Sequence, residues 1–439
     1  MATDTLSGPV IIDLGLDRGE PETYRSPTCR TVPNWFGPLL VVLLVLLVSA
    51  ASAAPPPPRL APLLSLPIGA TDSWTVTDSG QLVAQSLGTL SSYDLATGEL
   101  RWRSGTVAPT YRLRTSSGVV LLRPWANGPN GPSTIAVSEA TGKPRWRHDG
   151  SVVTITGSPV LLAVNGVRSL SGSGRRVEGP VRAVDPATGG IRWTVNVPST
   201  AVLMGIPAPA GTPARMLLVH DNRTFTVHDL GTGQLLATAA IPAADYAPDN
   251  PTISGGLIML QHQDPGGDEQ VSAYDPVTLS LVWQRPADGA DSVQPCGRLA
   301  CLVGRYGVRG LNPATGREQW YHPSWRGVEE RGRLLLAYGA GAGFTEPIGL
   351  ADPGTGRVLV DLHGWRALDG LAGGGRILVT RLIDAGTRTM VAVADPGDAQ
   401  PRPLADLPPG TGVCQAAPDR LICRSALGEL NVWAYRQRG

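Results

Sequence analysis

Lysine is nearly missing from this chain: one residue, Lys143, stands against 36 arginines. Charge of either sign is sparse, with 37 basic and 36 acidic side chains in 439 residues and a formal net charge of +1. Without a surplus of one sign there is no electrostatic footprint for nucleic acid and no acidic surface to draw a basic partner. Phenylalanine occurs three times, and the five cysteines include no adjacent pair. Six histidines are scattered with no H-E-x-x-H and no i, i+4 pair, which excludes the helical zinc-hydrolase pattern. A G-x-S-x-G elbow, a P-loop and a strand-borne G-x-G-x-x-G are also missing, so the familiar nucleophile and phosphate-loop signatures drop out. What is abundant is glycine (54) and proline (40), which predicts many turns and few long helices. An apolar content of 42% is too high for a disordered chain and supports one large core or several small ones.

One apolar run stands apart. Gly37 to Ala54 carries no charge, and with Trp35 and Phe36 it makes about 20 residues, the length that crosses ~30 Å of hydrocarbon. Arg25 and Arg30 precede it and only Arg59 follows closely, so the positive-inside bias sets the N-terminus in the cytoplasm. The expected organisation is a disordered cytoplasmic tail (1–36), a transmembrane signal-anchor helix (37–54), a Pro-rich linker (55–60) and an extracytoplasmic domain (61–437), making a single-pass cell-membrane protein. A cleaved signal peptide is the alternative, with Leu39 to Val48 as its apolar stretch and small residues after it. An n-region holding Asp4, Asp13, Asp17, Glu20 and Glu22 argues against cleavage. Both readings export the remainder of the chain.

Beyond residue 60 one phrase recurs. It reads SSYDLATGELRW at Ser91 to Trp102, RAVDPATGGIRW at Arg182 to Trp193 and RGLNPATGREQW at Arg309 to Trp320, with further copies between and after. Its acidic or amide positions are Asp94, Glu139, Asp185, Asp229, Asp275, Asn312, Asp352 and Asp395, spaced by 37 to 46 residues. A period near forty built from short alternating strands marks a radial or solenoid array. The aspartates start the turns through side-chain bonds to the following backbone. Gly98, Gly142, Gly189, Gly233, Gly316 and Gly356 fit the left-handed position that closes a bulged hairpin. Four residues after that glycine, or after Leu279 in its place, stand Trp102, Trp146, Trp193, Trp283 and Trp320, spaced as packing between sheets requires.

The D-x-x-T-G-x-x-x-W phrase with its alternating strand resembles the repeat of the pyrroloquinoline-quinone-type (quinoprotein alcohol dehydrogenase-like) propellers, over residues 61 to 437. The resemblance implies an all-β propeller of four-stranded blades, eight in number, with seven and nine as alternatives. Ala61 to Pro67 (APLLSLP) would supply the missing strand of the last unit and tie the chain ends together. Quinone dehydrogenases with this repeat use a disulfide between adjacent cysteines, a calcium held by carboxylate and amide, and an aspartate base. Those features are not found in this sequence, so the fold does not carry the chemistry with it; no cofactor and no metal are expected.

Cys29 falls on the cytoplasmic side. Cys296, Cys301, Cys414 and Cys423 form two near pairs, each ending in Arg-Leu-x-Cys, and local pairing across the first hairpin of two blades is the simplest of three connectivities. Among the remaining aromatics, Trp74, Trp125, Trp325 and Trp365 are candidates either for local core or for anchoring a partner. The loop with Asp264, Asp268 and Glu269 and the glycine runs 339–343 and 373–375 read as solvated turns. With catalytic residues absent, the expected function is a non-catalytic scaffold binding an envelope protein or peptide. Its general plan resembles the propeller lipoproteins that support outer-membrane protein assembly, without the lipid anchor. A quinone-type oxidoreductase, or a sensor binding a small ligand or carbohydrate in the central channel, is the alternative.

Overall fold

The computed structural model describes residues 33–51, 59–106, 110–124, 133–155, 158–169, 174–206, 214–241, 251–340, 346–370 and 372–435. The tail to residue 32 with Cys29, linker residues 55–58, Trp125 and Gly341 to Gly343 lie outside these. The chain divides between residues 57 and 58 into two units.

The first unit contains a helix, Phe36–Ala51, of 16 residues. Its leucines and valines leave no polar face, and those from Leu39 to Leu46 are all exposed. Over its described residues the helix rises about 24 Å at ~1.5 Å per residue. Among the described residues no helix is long and apolar enough to cross a membrane. Of the helix expected over 37–54, the described part runs from Phe36 to Ala51, and residues 52–54 lie outside the described residues.

The second unit is built of antiparallel strands. Seven sheets have four strands each and one has seven. The seven-stranded sheet is two four-stranded units sharing one strand, Ile191–Ile206, whose first half is the outermost strand of one unit and whose second half is the innermost of the next. Nine units therefore follow one another: blade 1 (74–106), blade 2 (110–149), blade 3 (151–197), blade 4 (201–240), blade 5 (252–286), blade 6 (290–322), blade 7 (325–361), blade 8 (366–407) and blade 9 (411–435). Blade 9 takes its fourth strand from Leu60–Pro67, which pairs antiparallel with Glu429–Tyr435.

Burial explains the ring. Second and third strands read as nearly continuous apolar runs, such as Leu299–Gly304, buried throughout because both faces of each sheet are covered. Nine apolar clusters fill the nine spaces between successive blades. The last of these joins Leu66, Ile422, Leu430 and Val432 of blade 9 to Leu82, Ala84 and Tyr93 of blade 1. Each such side chain contributes roughly 1.5–3 kcal/mol on burial, and the circuit leaves no apolar sheet face open. The favoured count of eight blades is corrected to nine. Eight turn phrases close eight blades, and the ninth is closed from the N-terminal side, where no phrase is needed.

Candidate functional site

The repeat phrase is used almost entirely between blades. In six turns the residue opening the phrase accepts a backbone bond from the glycine four residues on, as in Gly98 N to Asp94 O at 2.7 Å and Gly189 N to Asp185 O at 2.8 Å; Leu279 N does the same in blade 5, and in blade 8 Asp395 O accepts from Asp398 N. One carboxylate oxygen of Asp94, Asp185, Asp229, Asp275 and Asp395 accepts from the N–H two residues later, and Asp352 Oδ1 from Thr355 N. In blade 2 this place belongs to Ser138, whose carbonyl accepts from Gly142 N at 2.8 Å. Glu139 is one residue further on, a correction to its reading as the turn-opening acid. The second oxygen of Asp185 accepts from Arg192, whose bond, followed by the backbone N–H of Thr188, pulls the carboxyl down to about 2.

The glycines all have positive φ, from 66° at Gly316 to 80° at Gly98. Proximity matters as much as conformation. A Cβ on Gly142 would lie 2.3 Å from the Trp102 ring, and Gly189, Gly233, Gly316 and Gly356 meet Trp146, Trp193, Trp283 and Trp320 at 2.6–2.8 Å. Each tryptophan thus lies flat on the turn of the following blade. Its indole N–H donates to a carbonyl there: Trp102 to Glu139, Trp146 to Pro186, Trp193 to Leu230, Trp283 to Pro313 and Trp320 to Pro353, over 2.5–3.1 Å.

At the joint of blades 4 and 5 both the tryptophan and the glycine are replaced. Blade 4 has Ala237 at the tryptophan position, and blade 5 has Leu279 at the glycine position, with φ 57° and its side chain buried in the cluster against which Ala237 packs. The large group has changed sides of the joint. Both replacements are visible in the sequence but their pairing is not, because the two residues lie 42 apart in the chain.

The disulfides are Cys296–Cys301 and Cys414–Cys423, each within the first hairpin of its blade. Of the other aromatics, Trp325 is buried and stacks on His322 at 3.9 Å, and Trp365 is buried beneath Arg381. Trp74 packs partly buried at the joint of blades 9 and 1. Asp264 is occupied by its own loop, accepting from Gly266 N, Asp268 N and Gln270 Nε2. Blade 4 holds a feature the sequence did not signal: His220 and His228 both bond the Thr226 hydroxyl, at 2.9 and 3.3 Å. Burial first, then His228, lowers the pKa of His220.

Polar chemistry gathers on the inner edges of blades 7 to 9. Tyr338 donates to Glu329 at 2.7 Å, and Arg331 bridges Glu329 and Asp369 at 2.8 and 2.9 Å. Burial, then the bond to Glu329, raises the Tyr338 pKa and keeps its phenol protonated. Beside this network lies a cleft of about 550 Å³ lined by Arg366, Asp369, Thr380 and Arg381. The residues present do not fit a quinone with calcium. The disulfides join cysteines five and nine residues apart, and among the described residues no three His, Cys, Asp or Glu side chains converge on a metal position.

A closed circle of four-stranded sheets, with five of its joints docked by tryptophan on the next turn, defines the class: a β-propeller whose repeat is similar to the PQQ-like one. Residues 177–334 match the family model described as "Outer membrane protein assembly factor BamB". Among solved structures the chain is similar to BamB from Moraxella catarrhalis, at 13% identity over 87% of this chain and 99% of that one, TM-score 0.42. It is also similar to the computationally designed Ika8 protein, at 13% identity over 85% and 99%, TM-score 0.43. The quinohemoprotein alcohol dehydrogenase ADHIIG from Pseudomonas putida HK5 is similar at 14% identity over 66% and 73%, TM-score 0.36. No curated protein matches the sequence.

Proposed function

We propose that this protein is a non-catalytic scaffold of the cell envelope, with its propeller outside the cytoplasmic membrane and docked to another envelope protein or peptide. The match to a family model described as an outer-membrane protein assembly factor carries this reading. Two disulfides suit an oxidising compartment, and the all-apolar helix Phe36–Ala51 suits export or membrane attachment. The tryptophans and aspartates of the repeat are consumed by joints between blades, which leaves the loops for contact.

The docking face is the one that carries the turns between second and third strands. There Leu87 of blade 1, Leu427 of the adjacent blade 9 and Tyr306 of blade 6 are 84%, 81% and 54% exposed. On the face of the repeat turns, Val277 is comparably exposed at 54% and serves as control. Cross-linking the full-length protein in intact envelopes and identifying its adducts tests the reading. A specific adduct that is lost in Leu87→Asp and Leu427→Asp but kept in Val277→Asp is expected. No adduct above background, or equal recovery in all three variants, would refute it.

A further inference from the structure

The innermost strand of blade 2, Thr110–Ser116, turns Leu113 toward blade 1. Alternation then points Arg112 and Arg114 the other way, toward blade 3. On the adjoining strand, Val119–Pro124, Arg123 stands directly opposite Arg112. Leu121, opposite Arg114, packs in the space between blades 2 and 3. Arg123 reaches across that space to the Ser151 hydroxyl on blade 3, with its guanidinium 5.5 Å from the Tyr111 ring centre.

A fourth arginine arrives on an unusual hairpin. The second and third strands of blade 3, Leu161–Ser169 and Arg175–Val184, are the longest of their kind in the ring among the described residues. Beyond their own blade, Arg175 to Val177 pair with Ala201 to Leu203. That segment is the innermost strand of blade 4, whose other edge is taken by Arg215–His220. The hairpin therefore adds a strand on the axial side of blade 4, an edge that carries no paired strand in the other blades among the described residues. It brings Arg175 within electrostatic reach of Arg112, Arg114 and Arg123.

These cations oppose one another. Burial first, then Arg112, Arg175 and Arg123, pushes Arg114 down to about 10. Burial and then Arg112 and Arg123 lower Arg175. Among the described residues no carboxylate pairs with Arg112, Arg114 or Arg175; on the same hairpin, Asp221 goes to Arg176 at 3.7 Å. Partly buried like charges without a counter-charge raise the free energy of the folded chain.

We propose that this cluster, between blades 2 and 3 at the axial edge, binds a doubly charged tetrahedral oxyanion: free phosphate or sulfate, or the phosphate monoester of a small molecule. Guanidinium forks match such oxygens in pairs, and a phosphate monoester carries about −1.5 to −2 charges near neutrality, which offsets up to half of the charge of the four guanidiniums. Ser151 adds a hydroxyl at the rim. Arg123 and Arg175 adjoin the turns between second and third strands of blades 2 and 3, on the side of the docking face, but the site is read by anion binding and stands or falls without a docked protein.

The test is calorimetric titration of the full-length protein with inorganic phosphate, sulfate and glycerol phosphate in chloride buffer of matched ionic strength, with Arg114→Gln and Arg175→Gln beside the parent. Saturable binding is expected in the parent, weakened at least tenfold in both variants. Tighter glycerol phosphate would indicate an ester ligand, and tighter inorganic anion a free one. Melting in chloride alone supplies an independent reading. Removing one of a set of repelling cations raises the Tm, whereas removing a structural arginine lowers it; Arg175→Gln changes only the added hairpin. No saturable binding in the parent, unchanged affinity in the variants, or a lower Tm for both variants would overturn the assignment.

Discussion

Ala237 and Leu279 show how the joint between blades works at the level of single side chains. At five joints a tryptophan ring lies on a glycine, and at this one a leucine on the turn faces an alanine. Ala237→Trp alone should overfill the joint and cost about 1–3 kcal/mol. Leu279→Gly alone should leave a cavity and cost about 2–5 kcal/mol, reduced by relief of the positive φ. The double variant recreates the common joint, so urea denaturation should give a coupling of at least ~1 kcal/mol in favour of the pair. Additive losses would mean the two positions do not share a joint. The turn residues and tryptophans were legible in the sequence because turn chemistry is local and the offset from glycine to tryptophan is fixed. Their partners were not, since each contact spans some forty residues. Glu139 shows the limit of reading one position by its charge: Ser138 does the work of aspartate there through its backbone carbonyl.

Blade 4 carries a pair of titratable side chains in its interior. His220 is nearly buried, shares the Thr226 hydroxyl with His228, and has its pKa held below the ordinary value by burial and by that second imidazole. The unfolded chain takes up its proton near pH 6.5, the folded chain only at lower pH. Between those two values the unfolded state binds more protons, so this stability is complete above about pH 6.5, falls as pH drops below it, and levels off once the folded imidazole is protonated too. Comparing denaturation midpoints at pH 7.5 and 5.5 should therefore show a smaller acid loss for His220→Gln than for the parent. Equal losses would refute the assignment. No sequence pattern announced this pair, because residues eight apart on neighbouring strands have no helical or motif spacing. The disulfides were readable, since two Arg-Leu-x-Cys endings put equivalent hairpins in view. The apolar helix was readable in place, because an uncharged run of leucine and valine needs no distant partner to be recognised.

For the ring as a whole, the fold class was legible and the number of blades was not. Counting phrases gives eight closures, and the strand that closes the ninth blade, Leu60–Pro67, carries no phrase. The shared strand Ile191–Ile206 hides another boundary, because no turn separates its two halves. Deleting residues 60–67 removes the pairing partner of Glu429–Tyr435 and uncovers part of the cluster between blades 9 and 1. Exposed edges of this kind recruit other chains, so the deletion variant should elute as oligomers or aggregates on size-exclusion chromatography. Added peptide LAPLLSLP should restore the monomer. A monodisperse deletion variant with the parent's Tm would contradict closure by this strand.

That seam also sets an order of events. The segment completing blade 9 is made before any blade, and its partner strand is made after all the others. A growing chain can stack sheet upon sheet from blade 1 onward, yet must keep an eight-residue ribbon waiting unpaired until blade 9 has been made. The ring is thus sealed by its own last strand, and a truncated transcript yields an open arc rather than a smaller circle.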